Sequence, residues 1–155
     1  WQVDFQGRIR IGKKITYNST SGRRIKKQYP PANWVHSILH PNSFNLKQCL
    51  FGEHLLHHYS NKPVAVVESE KTAIIATAKL PAYIWLATGS MNEFKPSKLV
   101  VLKGRRIVAF PDLGAYDYWL KNSSKLDFSI EISDYLEKNA TTKQRKEGLD
   151  IGDFL

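Results

Sequence analysis

Two acidic residues stand where apolar runs end. Pro63-Val64-Ala65-Val66-Val67 runs into Glu68, and Arg106-Ile107-Val108-Ala109-Phe110-Pro111 runs into Asp112. Carboxylates gathered at strand ends repel one another, so they are usually kept to hold a divalent cation or to move a proton. Mg²⁺ suits such a pair, because it keeps several waters and bridges one or two carboxylates to phosphate oxygens. The same acids can instead cap the helices that follow, where negative charge meets the helix N-terminal dipole. A second set of chemistry-bearing residues is His54, His57 and His58. His54 and His58 are four apart, so one helix face can offer both imidazoles to a metal. The zinc-protease pattern needs a Glu just after the first His, whereas Glu53 precedes it. Surface or capping histidines are the expectation.

The elements that position Glu68 and Asp112 read as α/β. The continuous apolar run 63–67 is the sign of a strand buried on both faces of a parallel sheet. Ser69 can cap a helix through Ala78. Tyr83 to Ala87 predicts a second strand, Pro96 to Leu102 a short helix, and Arg106 to Phe110 a third strand. Tyr116 to Lys125 predicts a helix, Phe128 to Ile132 a fourth strand, and 134–147 a last helix before the tail Leu149–Leu155. Strands alternating with helices imply a parallel sheet with helices on both faces, whose ligand site lies beyond the carboxyl ends of the strands.

The preceding residues differ in kind. Of 23 Lys and Arg, ten lie in residues 1–62, against only Asp4 and Glu53, while the remaining thirteen face twelve acids in 63–155. This divides the chain into a basic β meander with a helical connector (1–62) and an α/β domain (63–155). In the meander, alternation places Arg8 and Arg10 on one face and Ile9 and Ile11 on the other, with Ile15 and Ile25 also inward. Gln6-Gly7 and Asn18–Gly22 are its turns, Pro30-Pro31 its end, and 32–62 mainly helix broken at Pro41-Asn42. The cations Arg8, Arg10, Lys13, Lys14, Arg23, Arg24, Lys26 and Lys27 are interleaved with Trp1, Phe5, Tyr17, Tyr29 and Trp34. Single-strand binders use that mixture for phosphate contact plus stacking. A solvated basic face over a thin aromatic core is the other reading of the same residues.

Length and composition exclude other classes. A chain of 155 residues, 42% apolar and 24% charged, buries roughly 70% of its unfolded surface and is globular rather than disordered. No apolar run approaches the roughly 18 residues of a membrane span, so no membrane association is expected. The lone Cys49 excludes an internal disulfide and a Cys-rich zinc site within these residues, and fits a reducing cytoplasm. The chain opens Trp1-Gln2-Val3-Asp4-Phe5 without Met and without a basic-then-apolar leader, and a piece of a longer cytoplasmic protein is expected.

Val66-Val67-Glu68-Ser69-Glu70-Lys71-Thr72-Ala73 resembles the first motif of Toprim domains, and Ile107-Val108-Ala109-Phe110-Pro111-Asp112 resembles their second, a strand ending in Asp-x-Asp. The tail Gly148-Leu149-Asp150-Ile151-Gly152-Asp153-Phe154-Leu155 looks like the Asp-rich close of phage and plasmid primases. The resemblance covers about 63–155. The whole chain is similar to an uncharacterised Toprim-like family of bacterial mobile elements, whose members often carry a zinc ribbon upstream. The resemblance implies a Toprim-like, Rossmann-like parallel sheet and Mg²⁺-dependent (or Mn²⁺-dependent) making or breaking of phosphodiester bonds. Glu68 would be the general acid/base and Asp112 a metal ligand, with Lys71 among the nucleic-acid contacts. The second Asp of the pair falls on Gly114, and the Gly that usually follows the motif Glu is Ser69. Asp117, Asp150 or Asp153 would then complete the metal set. The implied functions are a primase-related nucleotidyltransferase on DNA or RNA, single strands favoured, or a non-catalytic Toprim-like binding or assembly module. Either would work with replication or mobilisation proteins in a bacterial cytoplasm. A Toprim nuclease is less favoured, since nothing resembles an attached ATPase.

Overall fold

A computed structural model describes residues 1–25, 33–40 and 42–155 of the chain. In the first segment β1 (Gln2–Val3) pairs antiparallel with β2 (Ile9–Ile11), and β3 (Lys13–Lys14) with β4 (Asn33–Trp34). The turn at Gln6-Gly7 forms as expected, with Gly7 at φ +79° and its N–H donating to the Asp4 carbonyl. The expected hairpin across Asn18–Gly22 also forms. Asn18 donates to the Arg23 carbonyl, Ile25 donates to that of Thr16, and Tyr17 bridges Arg24.

Strict alternation does not hold in this segment. Ile11 is 3% exposed but Ile9 is 68% exposed, Ile25 is exposed and Ile15 half-buried. A register irregularity lies between Gln2 and Val3, and strands of two or three residues are too short for a period of two to bind them to one core. The expected mostly helical stretch reduces to α1 (Val35–Leu39) and α2 (Leu55–His58), with 42–54 largely irregular. Here packing outvotes helical spacing: Leu50 and Leu56 are buried against the α/β core, and Phe51 bridges Ala87.

The rest is the expected α/β layer structure. β5 (Val64–Val67), α3 (Glu70–Lys79), β6 (Ile84–Ala87), α4 (Pro96–Leu99), β7 (Ile107–Ala109), α5 (Tyr116–Ser123) and β8 (Glu131–Ile132) follow in order. The four strands form one all-parallel sheet in the order β6-β5-β7-β8. Every residue of β5, β6 and β7 is buried, as a strand covered on both faces requires. Val64, Val66, Ile84 and Leu86 face one layer with Phe94, Leu99 and Trp119. The rings of Phe94 and Trp119 stack at 4.2 Å. Ala65, Val67, Trp85 and Ala87 face the other layer with Ala73 and Ala76 of α3. Those alanines let α3 lie close on the sheet.

Local chemistry sets the helix ends. The Ser69 hydroxyl accepts the Thr72 N–H at 3.1 Å, the expected N-cap of α3. The single helix expected over 134–147 is two, α6 (Tyr135–Asn139) and α7 (Thr142–Glu147). A capping box between Thr141 and Gln144 starts the second, and Gly148 at φ +62° ends it. A 3-10 turn at Ile151–Asp153 then packs on α3. Among the described residues no helix is long and apolar enough to cross a membrane.

Candidate functional site

Glu68 follows the last residue of β5, and Asp112 lies three residues beyond β7. These strands are neighbours in the sheet, so both acids stand at its carboxyl edge, where helix dipoles and strand ends converge. The tail supplies the third acid. The Thr72 hydroxyl, in the first turn of α3, donates to Asp150 Oδ2 at 2.6 Å and is itself 2.7 Å from the Ser69 hydroxyl. Asp150 Oδ1 accepts the Gly152 N–H at 2.8 Å, and Asp153 Oδ2 accepts the Asp150 N–H at 3.0 Å. A Cβ at Gly152 would meet Asp150 Oδ1 at 2.9 Å, so a larger residue there would have to displace the Asp150 side chain. One helix N-terminus thus carries Ser69, Thr72 and, through Thr72, the tail.

The electrostatics record the crowding. Burial, followed by the charges of Glu68, Asp150 and Asp153, pushes Asp112 up to about 8, while Lys71 pulls the other way. Asp112 Oδ1 is buried without a hydrogen-bond partner. Glu68 is also raised, by burial first and by Asp150, against a backbone hydrogen bond from Met91. A buried, unpartnered carboxylate oxygen facing other acids is an arrangement that a proton or a cation relieves.

Four of the five expected acids act on one another. Asp117 does not join them: it is exposed in the first turn of α5, where it complements the helix dipole, and it is not among the charges that shift Asp112. Gly114 adopts φ +88° in the turn after Asp112, with open space where a Cβ would stand. Its N–H donates to Glu137 Oε1 at 2.9 Å, and Arg145 holds the other oxygen of Glu137 at 2.5 Å. A carboxylate from α6 therefore sits beside the residue that lacks one. Neither Glu137 nor Thr72 was legible as a site residue: Glu137 lies in an ordinary amphipathic stretch, and Thr72 reads as a helix-capping position. Among the described residues no three His, Cys, Asp or Glu side chains stand at the spacing of a ready-made metal site. His54, with helical φ and ψ, is the N-cap of the four-residue α2, and it lines one surface pocket with His57, His58, Phe5, Gln6 and Gly7.

The cations of the first segment have separate fates. Arg8 is paired with the buried Asp4 at 2.8 Å yet 62% exposed along its side chain. Arg10 donates to the Lys47 carbonyl at 3.0 Å and is mostly covered. Lys13 lies 5.4 Å above the Trp34 ring and 3.8 Å from Glu70 of α3. Lys14, Arg23 and Arg24 are exposed, and Lys26 and Lys27 lie outside the described residues. Lys71, next to Glu70, connects this side of α3 to the carboxylates through its effect on Asp112. Cys49 is buried and its thiol is pushed up to about 12, by burial first, so it is inert as a nucleophile.

A family model described as a domain of unknown function (DUF6371) matches residues 1–113. The chain belongs to that family. The match runs from the first antiparallel pair through Asp112, so the basic segment and both strand-end acids fall within one family unit. No curated protein and no solved structure matches the chain.

Proposed function

We propose that this protein is a Toprim-like, primase-related nucleic-acid protein whose chemistry, where retained, is metal-assisted phosphodiester formation. The observation that carries this reading is a buried, unpartnered Asp112 oxygen at the carboxyl edge of a parallel sheet, on a carboxyl group raised by burial and by the charges of Glu68, Asp150 and Asp153. That donor set is all hard oxygen, which fits Mg²⁺ or Mn²⁺ rather than a soft metal. Asp112 would hold the ion with help from Glu68 or Asp150, and a bound divalent ion supplies charge neutralisation at phosphoryl oxygens. Glu68, raised by burial, is suited to take and return a proton at an attacking or leaving oxygen. Lys71 would draw a phosphate toward the acids. Exposed Arg8, Lys14, Arg23 and Arg24 would contact the backbone of a single strand.

A second reading has its own observation in support. Asp150 is engaged by Thr72 and Gly152, and the second Asp of the Toprim pattern would fall on Gly114, at φ +88°. A module that binds nucleic acid without catalysis is consistent with a metal set so reduced. The deciding experiment is primer synthesis on a single-stranded template with Mg²⁺ or Mn²⁺, comparing wild type with Glu68→Gln and Asp112→Asn. The enzyme reading expects turnover lost in both variants, with metal binding lost only in Asp112→Asn. Strand binding with a steep salt dependence, a log–log slope of roughly −0.7 per phosphate contact, but no turnover in the wild type selects the binding module. A flat salt response together with no turnover removes both.

A further inference from the structure

Between the first segment and α3 lies a cavity of about 280 Å³ that the carboxylate site does not use. Its walls are aromatic: Trp1, Tyr17, Trp34 and Phe51 line it, over a floor that includes Ile11 and Ile75. Its rim is charged and polar, with Lys13, Lys71, Glu70 and Gln2. The construction is specific. Trp1 lies against Gly12, where a Cβ would come within 2.7 Å of its ring. Lys13 spans from the Trp34 face to Glu70. Trp1 is 62% and Tyr17 39% exposed, so two rings of the wall keep free faces. Below the described first segment, the surface of α3 that it meets carries Ile74, which is 60% exposed.

We propose that this cavity receives one nucleobase of a nucleotide, stacked on the Trp1 and Tyr17 rings, with its phosphate on Lys13 and Lys71. The volume is near the lower end of ligand pockets, about 300–1,000 Å³, which suits a single planar ring system. Flat aromatic walls bind any base through its π-face, and an adjacent cation adds to that attraction. Glu70 and Gln2 offer an acceptor and an amide to ring-edge amino and carbonyl groups, the pairing by which such side chains read bases. The Tyr17 hydroxyl is raised by burial and by Glu70, so it stays protonated as a donor. Lys71 belongs to both sites: it lines the cavity and offsets the charge on Asp112. A nucleotide seated here therefore has its phosphate directed toward the acidic edge. The choice of ligand class rests on the nucleic-acid reading above; the cavity itself does not.

The test follows tryptophan fluorescence of the whole chain during titration, without divalent metal, by three probes. They are a short oligodeoxyadenylate, an abasic sugar–phosphate strand of the same length, and deoxyadenosine monophosphate. Each stacked base strengthens binding, so the base-bearing strand should bind about fivefold or more tightly than the abasic one. Trp1→Leu, and independently Tyr17→Leu, should bring it down to the abasic level, with unchanged circular dichroism. Equal binding of the two strands by the wild type overturns the pocket and leaves the polyanion role standing. That comparison needs no variant, so a misfolded mutant cannot obscure it. Binding of the mononucleotide with loss on Trp1→Leu, but no binding of either strand, supports the pocket and removes the single-strand reading. No response to any probe overturns both.

Discussion

The parallel-sheet half and the basic first segment are held together by different physics. In the sheet, β5, β6 and β7 are buried along their whole length, and paired apolar layers on the two faces do the work. In the first segment, buried polar side chains accept backbone N–H groups instead. Glu53, 6% exposed, accepts from Phe5 at 2.9 Å and from Leu50 at 3.0 Å. Gln2 accepts from Cys49, and Asp4 accepts from Gln6 and Arg8. Asp4 is held below the usual carboxylate range: burial opposes this, but the hydrogen bonds from Arg8 and Gln6 and the Arg8 charge together outweigh it. An apolar layer tolerates repacking, whereas a polar tie fixes the atoms it joins and fails when either is removed. The segment with the least apolar core is thus positioned by a few obligatory contacts, and those contacts set the wall of the cavity beside α3.

The comparison breaks first at the sheet. Trp119→Ala removes a fully buried ring stacked on Phe94 and should cost about 3–5 kcal/mol in chemical denaturation. A loss below about 1 kcal/mol would mean that this layer is not the main core. Glu53→Ala should cost about 2–3 kcal/mol, since it strands the buried Leu50 N–H and the part-buried Phe5 N–H. Hydrogen exchange should place that loss in residues 1–25 and 49–56, with β5 to β7 still protected. Uniform loss of protection would show that the two regions unfold as one unit.

At the junction, Asp112→Asn should stabilise the metal-free protein. An acid whose pKa rises on folding, here to about 8, binds more protons folded than unfolded. Stability is therefore full below the unfolded value of about 3.9, falls as pH rises between that value and about 8, and is level above it. The neutral amide escapes that loss, so the variant should be more stable than the wild type at pH 9 and equal to it at pH 3.5. Mg²⁺ should narrow the gap at pH 9 by stabilising only the wild type. A variant less stable at pH 9 would contradict the crowding of Asp112.

The smallest effect concerns the tail. Thr72→Val keeps shape but removes the hydroxyl that holds Asp150, and should cost about 1–2 kcal/mol. Proteolysis after α7 should accelerate while β5 and α3 stay intact. An unchanged cleavage rate would mean that Ile151 packing alone docks the tail.

The candidate site was half legible for the same reason that separates the two regions. Glu68 and Asp112 end runs whose apolar character declares a buried strand, and the parallel order then places both at one edge. Asp150 and Asp153 stood out as acids, but their link to Thr72 joins residues 78 apart, and no local pattern encodes it. Asp117 fell away because a first-turn helical acid is indistinguishable in sequence from a ligand.

The sequence by itself determined the α/β succession, the Ser69 cap, the turns at Gly7 and 18–22, and the division of charge. Each follows from forces acting within a few residues: period, capping, turn chemistry and composition. Only the tertiary structure decided that Ile9 faces out and Ile11 in, that Leu50 and Leu56 serve the sheet's core, and that the tail returns to α3. It also decided that four aromatic side chains, dispersed over residues 1–51, close on one cavity. Those outcomes depend on contacts between distant parts of the chain, whose energy is realised only once the sheet exists to pack against.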